Sequence, residues 1–206
     1  MVSREYIIAE SFKLLMSIGP SSMTMDMVAR TCGISKRTLY EHFPDKRTLI
    51  DECLEDDHRR QNEQMKQIFD EAPNCFYALF QVYTRIRAYF GATSMAFIAD
   101  IRRLYPDLLA RHQQQDHQVV EGLSEVLTKA QAEGHVIPTI NTKIAAFLFL
   151  STMRNLHESE RIREFGFNQI EVFDGAFLNF MRGIATIRGI EYLDSQVGKM
   201  KENNLN

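Results

Sequence analysis

Residues 24–46 read Thr-Met-Asp-Met-Val-Ala-Arg-Thr-Cys-Gly-Ile-Ser-Lys-Arg-Thr-Leu-Tyr-Glu-His-Phe-Pro-Asp-Lys. Thr24 is an N-cap residue ahead of a short helix that turns Val28, Ala29 and Cys32 inward and ends at Gly33. Ser35 caps the next helix. Ile34 before it and Leu39 at its fourth position form a hydrophobic staple, and Pro44 ends it just after Phe43. Two short helices joined by a tight turn through Gly33 and Ile34 are helix-turn-helix architecture. On the second helix Leu39 and Phe43 lie four apart and face a core, which sends Arg37 and Glu41 to the opposite side, flanked by Lys36, Thr38 and Tyr40. The outward side therefore carries groups that hydrogen-bond to bases and phosphates.

On either side of this stretch apolar residues recur at three and four positions, and no run alternates strictly, so the pattern predicts an all-α chain. A first helix from Ser3 to Ile18 carries Ile8, Phe12 and Leu15 on one face and stops at Gly19 and Pro20. Asp45 caps a long fourth helix with Leu49, Ile50, Cys53 and Leu54 on one face, fading at Pro73. Further helices are expected over 75–90, 95–104, 106–133, 141–157 and 168–188, punctuated by Gly91, Gly134, Pro138 and Gly166. This divides the chain into an N-terminal three-helix helix-turn-helix domain, residues 1–47, and a larger helical bundle, residues 48–206. With no low-complexity linker between them, a continuous fourth helix would couple the two mechanically.

The 206 residues are 45% hydrophobic and 25% charged, a globular composition with room for a substantial core. A net charge of −3 argues against indiscriminate coating of nucleic acid. The first 50 residues nevertheless hold seven Lys or Arg against five Asp or Glu, a small basic head on an acidic body. Cys32, Cys53 and Cys75 show no C-x-x-C spacing, so neither a disulfide framework nor a zinc site is suggested. The N-terminus lacks a signal peptide, and the purest apolar run, Ile144 to Leu150, is too short to span a bilayer. A cytoplasmic protein without a membrane partner is expected.

The segment resembles the DNA-binding signature of TetR-family repressors: a capped second helix, Gly-Ile-Ser at 33–35, Thr-Leu-Tyr-Glu-His-Phe at 38–43, and Lys46 shortly after. The match covers the first 50 or so residues. Beyond it only the helical layout is similar, including Tyr105-Pro106-Asp107-Leu108 opening a long helix and Glu133-Gly134-His135-Val136 closing it. In a helix-turn-helix the second helix enters the major groove, so Lys36 and Arg37 are placed to read base edges, guanine above all, and Thr38 to touch a base edge or thymine methyl. The resemblance further implies phosphate contacts from Tyr40, His42 and Lys46, and a backbone anchor at Thr24. Ser35, as the cap, belongs to the same surface. Many family members carry Gly or Ala where this chain has Arg37, which either adds a base contact or shifts the helix outward. Taken singly, the residues have plainer readings: an exposed Arg37–Glu41 pair in the weaker orientation, a packed Tyr40, a solvated His42.

Nothing in the body points to an enzyme or a cofactor. His112 and His117 are five apart and His157 precedes Glu158, neither of which is H-E-x-x-H geometry. The aromatic stripe Phe76, Phe80, Tyr83, Tyr89 and Phe90, with Met95, Phe97 and Met153, either fills the core or lines a cavity for an apolar or amphipathic effector. Two late helices are apolar on more than one face: Phe147 and Leu150 in one, with Phe173, Phe177, Phe180, Met181 and Ile184 in the other. A wholly internal core and a four-helix homodimer interface both satisfy that pattern. The expected function is a homodimeric regulator of double-stranded DNA that recognises a palindromic operator and answers to a small molecule. The alternative is a helical binding module whose head no longer reads DNA.

Overall fold

A computed structural model describes residues 2–113, 116–158 and 161–203. In chain order the helices are α1 (Arg4–Ser22), α2 (Met25–Thr31), α3 (Lys36–His42), α4 (Lys46–Glu71), α5 (Cys75–Ala92), α6 (Met95–Leu104), α7 (Pro106–Gln113), α8 (Asp116–Ala132), α9 (Thr142–Glu158), α10 (Arg161–Glu164), α11 (Gln169–Ile184) and α12 (Ile187–Asn203). The fold is all-α, with a single residue pair, Val136 and Ala185, bridged in antiparallel fashion among the described residues. No described helix is long and apolar enough to cross a membrane.

The chain forms two compact units, residues 1–66 with 91–114 and residues 67–90 with 115–206. The division expected after residue 47 differs from this. Most of α4, together with α6 and α7, belongs with the helix-turn-helix, and α4 ends in the second unit.

The first unit shows why α6 joins it. The Ser94 N–H donates to the Met16 carbonyl at 3.0 Å, and the rings of Phe12 and Phe97 meet edge to face at 6.3 Å. Ser21 donates its N–H to Asp100 at 2.7 Å, while Arg103 donates to the same carboxylate at 3.1 Å. The expected stop of α1 at Gly19 and Pro20 is a kink instead: Gly19 has φ 77°, and one more turn runs to Ser22. Pro20 fits there because it stands at the start of that turn, where its missing N–H would have no partner.

The second unit is built on an aromatic core. Phe76, Phe80 and Tyr83 of α5 pack with Leu127 of α8, Ala146 of α9, Phe173, Phe177 and Met181 of α11 and Leu193 of α12. Tyr83 stacks on Phe177 with centroids 4.2 Å apart and donates its hydroxyl to Asp174 at 2.7 Å, a carboxylate that also accepts from Arg87 Nε at 3.0 Å. Burial, then the neighbouring Asp174, push the Tyr83 phenol well up, so it stays a protonated donor.

The helix expected over 168–188 is two helices. The chain extends at Ala185 (φ −80°, ψ 146°) so that residues 184–186 pair with the segment 135–137: Ile137 N–H donates to the Ile184 carbonyl at 2.9 Å, and Thr186 N–H to the His135 carbonyl at 3.0 Å. Thr186 then caps α12, accepting from the Gly189 N–H at 3.1 Å. The expected helix over 106–133 is described as α7 and α8, with residues 114–115 between them outside the described residues.

At Gly189 an added Cβ would stand 2.2 Å from the His135 carbonyl oxygen, which Thr186 holds in place. Gly189→Ala is therefore expected to cost about 1–3 kcal/mol, read as a lower urea midpoint with an unchanged m-value. At Asp100 burial pushes the carboxyl up, but the Ser21 hydroxyl and N–H and the Arg103 guanidinium outweigh it and hold the group below its usual range. A depressed carboxylate adds stability above its ordinary pKa and loses it as pH falls through the folded value. Asp100→Asn is expected to lower the melting temperature at pH 7, and the gap to the parent protein to close only below about pH 4.

Candidate nucleic-acid interface

The helix-turn-helix is set by backbone chemistry at both of its ends. Thr24 Oγ1 accepts from the Met27 N–H at 3.2 Å and starts α2. Gly33, at φ 65°, lets the chain turn after α2: its N–H donates to the Arg30 carbonyl and that of Ile34 to the Ala29 carbonyl, the paired bonds of a Schellman cap. Ser35 Oγ accepts from the Thr38 N–H at 3.0 Å and opens α3. Asp45 accepts from the Thr48 N–H at 2.7 Å and opens α4, and those backbone bonds hold its carboxyl below the usual range.

Within α3, Leu39 is fully buried, as is Phe43 at its end, while Lys36, Arg37, Tyr40 and Glu41 are exposed. Thr38 and His42 are half-buried, and Thr24 and Ser35 are exposed at the two N-caps. Lys46 is half-buried at the start of α4, and burial pulls its ammonium pKa down. The eight residues singled out from sequence thus cluster on this one motif. Two of their cations form ion pairs within the protein: Lys36 Nζ lies 2.9 Å from Asp26 of α2, and Arg37 Nε donates to Glu41 at 3.1 Å.

Arg4 and Glu52 have no place in the sequence reading. Arg4 donates to the His42 carbonyl, a free acceptor at the C-terminus of α3, at 2.5 Å, lies 4.3 Å over the Phe43 ring, and makes a two-pronged contact with Glu52 of α4. One side chain thereby holds three helices of the motif. The partners are 48 residues apart, and no local pattern signals such a contact.

Residues 7–53 match the family model for bacterial regulatory proteins of the tetR family. That segment is a TetR-family DNA-binding domain. The chain is 22% identical over 173 residues to the HTH-type transcriptional regulator UidR of Escherichia coli K12, a match covering 81% of this chain and 88% of UidR. Its fold is shared with E. coli NemR in its reduced form (TM-score 0.68, 15% identity, 89% of this chain and 96% of that one). It is shared too with the Bacillus subtilis regulator FadR in complex with stearoyl-CoA (TM-score 0.63, 13% identity, 88% and 100%). A TetR-family regulator from Agrobacterium tumefaciens aligns similarly (TM-score 0.67, 14% identity, 87% and 96%). The chain is a transcriptional regulator of this family, not an enzyme. No group of three or more His, Cys, Asp or Glu among the described residues is arranged to hold a metal ion.

In the body of this TetR-family chain the structure redistributes the aromatic residues. Phe76, Phe80 and Tyr83 are buried core, and Met153 packs half-buried against that core. Tyr89 lines a groove of about 390 Å³, with Ile68, Gln81, Thr84, Arg85 and Ala88. Phe97 is in the first unit against Phe12, not among the body's cavity residues, because α6 docks on α1. The side chains of Phe90 and Met95, like those of His112 and His157, lie outside the described residues.

The interface expectation divides in the same way. Phe173, Phe177, Met181 and Ile184 are buried in the chain's own core. Phe147 is 57% exposed, beside the exposed Ile144 and Leu148 of the same helix, and Leu150 and Phe180 are half-buried.

The Arg4 clamp has a measurable signature. A double-mutant cycle on Arg4→Gln and Glu52→Gln in thermal unfolding is expected to return a coupling on the order of 1 kcal/mol, the upper end for a part-exposed pair, because the contact is two-pronged.

Proposed function

We propose that the chain is a homodimeric repressor that places two copies of α3 in successive major grooves of a palindromic operator, about 34–36 Å apart, and that a small molecule bound in its body releases it. The observation that carries this reading is the face of α3: Leu39 and Phe43 are buried, and Arg37, Tyr40 and Glu41 are left to solvent on a capped and clamped helix. Arg37 and Thr38 read bases. Tyr40, His42 and Lys46 hold phosphates, with Thr24 and Ser35 presenting their capped N-termini to the same backbone.

The second copy is needed for specificity, since one seven-residue helix contacts too few base pairs to select a genomic site. Phe147, with Ile144 and Leu148, supplies the exposed apolar surface for an isologous contact, extended by Leu150 and Phe180. An apolar or amphipathic effector is supported by solved relatives of the same fold, one holding stearoyl-CoA and another described as a ketosteroid regulator. The groove beside Tyr89 is the place for it. Because α4 belongs to both units, an effector that favours one setting of α4 over another biases the separation of the two α3 helices.

Arg37→Ala combined with Tyr40→Ala tests the reading. In gel shifts against duplexes selected by the parent protein, the double variant is expected to lose at least about 100-fold in operator affinity, each site carrying 1–3 kcal/mol, with helix content and dimer mass unchanged. Unchanged affinity would leave the chain a helical binding module whose head does not read DNA.

A further inference from the structure

We infer that Arg37 reads a guanine in each operator half-site and that Glu41 is a positioning residue that sets this preference by bracing the arginine. The inference rests on the operator-reading function proposed above and narrows it to one base and one supporting residue.

Two cations open α3, and the structure treats them differently. The Lys36 ammonium turns back to Asp26 of α2 at 2.9 Å, an exposed ion pair between the two helices of the motif. The Arg37 side chain is 90% exposed and points away from the buried Leu39. Its Nε donates to Glu41 Oε1, one turn further along, at 3.1 Å.

That contact occupies the inner edge of the guanidinium. The two terminal nitrogens remain as parallel donors, matched to the O6 and N7 acceptors of guanine; adenine presents an amino donor where guanine has O6 and is refused. A guanidinium held at Nε also has less rotational freedom to lose on docking than a loose one. As a stabiliser of the helix the pair is poorly arranged, with the cation N-terminal to the anion and both side chains in water. Glu41 left without Arg37 would set a bare carboxylate against the polyphosphate backbone. Bracing accounts for both residues at once.

The experiment selects duplexes from a random pool with the full-length chain, with Glu41→Gln and with Arg37→Lys, at one salt concentration. The parent chain is expected to prefer guanine at one position of each half-site. Arg37→Lys, which keeps the charge and a donor but not the planar fork, weakens that preference. Glu41→Gln keeps DNA binding while guanine preference at that same position falls about tenfold and the other positions stay as they were. A Glu41→Gln profile identical to the parent's overturns the inference. So does a changed preference at a different position, since Glu41 would then read a base itself. A parent chain that selects no sequence removes the operator reading as well, and is recognised before any variant is compared.

Discussion

The burial of Leu39 and Phe43 is the constraint on which the recognition surface depends. A helix of seven residues is too short to persist alone in water, so its orientation comes from what it buries and from how its ends are held. Here the two apolar side chains anchor one face, Ser35 and the Gly33 turn fix the start, and Arg4 takes up the last carbonyl. Each contact is modest. Together they leave α3 one way to lie, and the face presented outward follows from that arithmetic of occupied positions.

The same economy of anchors holds in the body. Asp174 receives a phenol and a guanidinium from α5, and Thr186 ties the close of α11 to the segment after α8. Partly buried polar groups of this kind lose hydrogen bonds when the helix register shifts, which opposes the shift. They give the aromatic core a single arrangement, where rings alone tolerate several.

What was legible in the sequence was local. Thr24, Ser35 and Asp45 announce helix starts within three residues, and Gly33 and Pro44 announce ends, so the motif could be placed residue by residue. Contacts between distant residues left no such trace. Apolar periodicity shows that Phe173, Phe177 and Met181 need a neighbour, but the choice between their own core and a second copy is made by α5 and α8. The break at Ala185 has no Pro to mark it, and Gly183 just before it is still helical. The break arises from pairing with residues about 50 positions earlier. Phe97 is expected from sequence among the body's core or cavity residues, yet it packs with Phe12 because Asp100 and Ser94 bind α6 to α1.

That attachment bears on any attempt to build hybrid regulators by fusing this reading head to a foreign sensor. A graft cut at the end of the matched segment, residue 53, would leave Phe12 without its ring partner and the Ser21 amide and Met16 carbonyl without theirs. The transplantable part is discontinuous. It must bring α6 with it, which means threading the recipient's chain through the insertion between residues 66 and 91 instead of joining two pieces end to end.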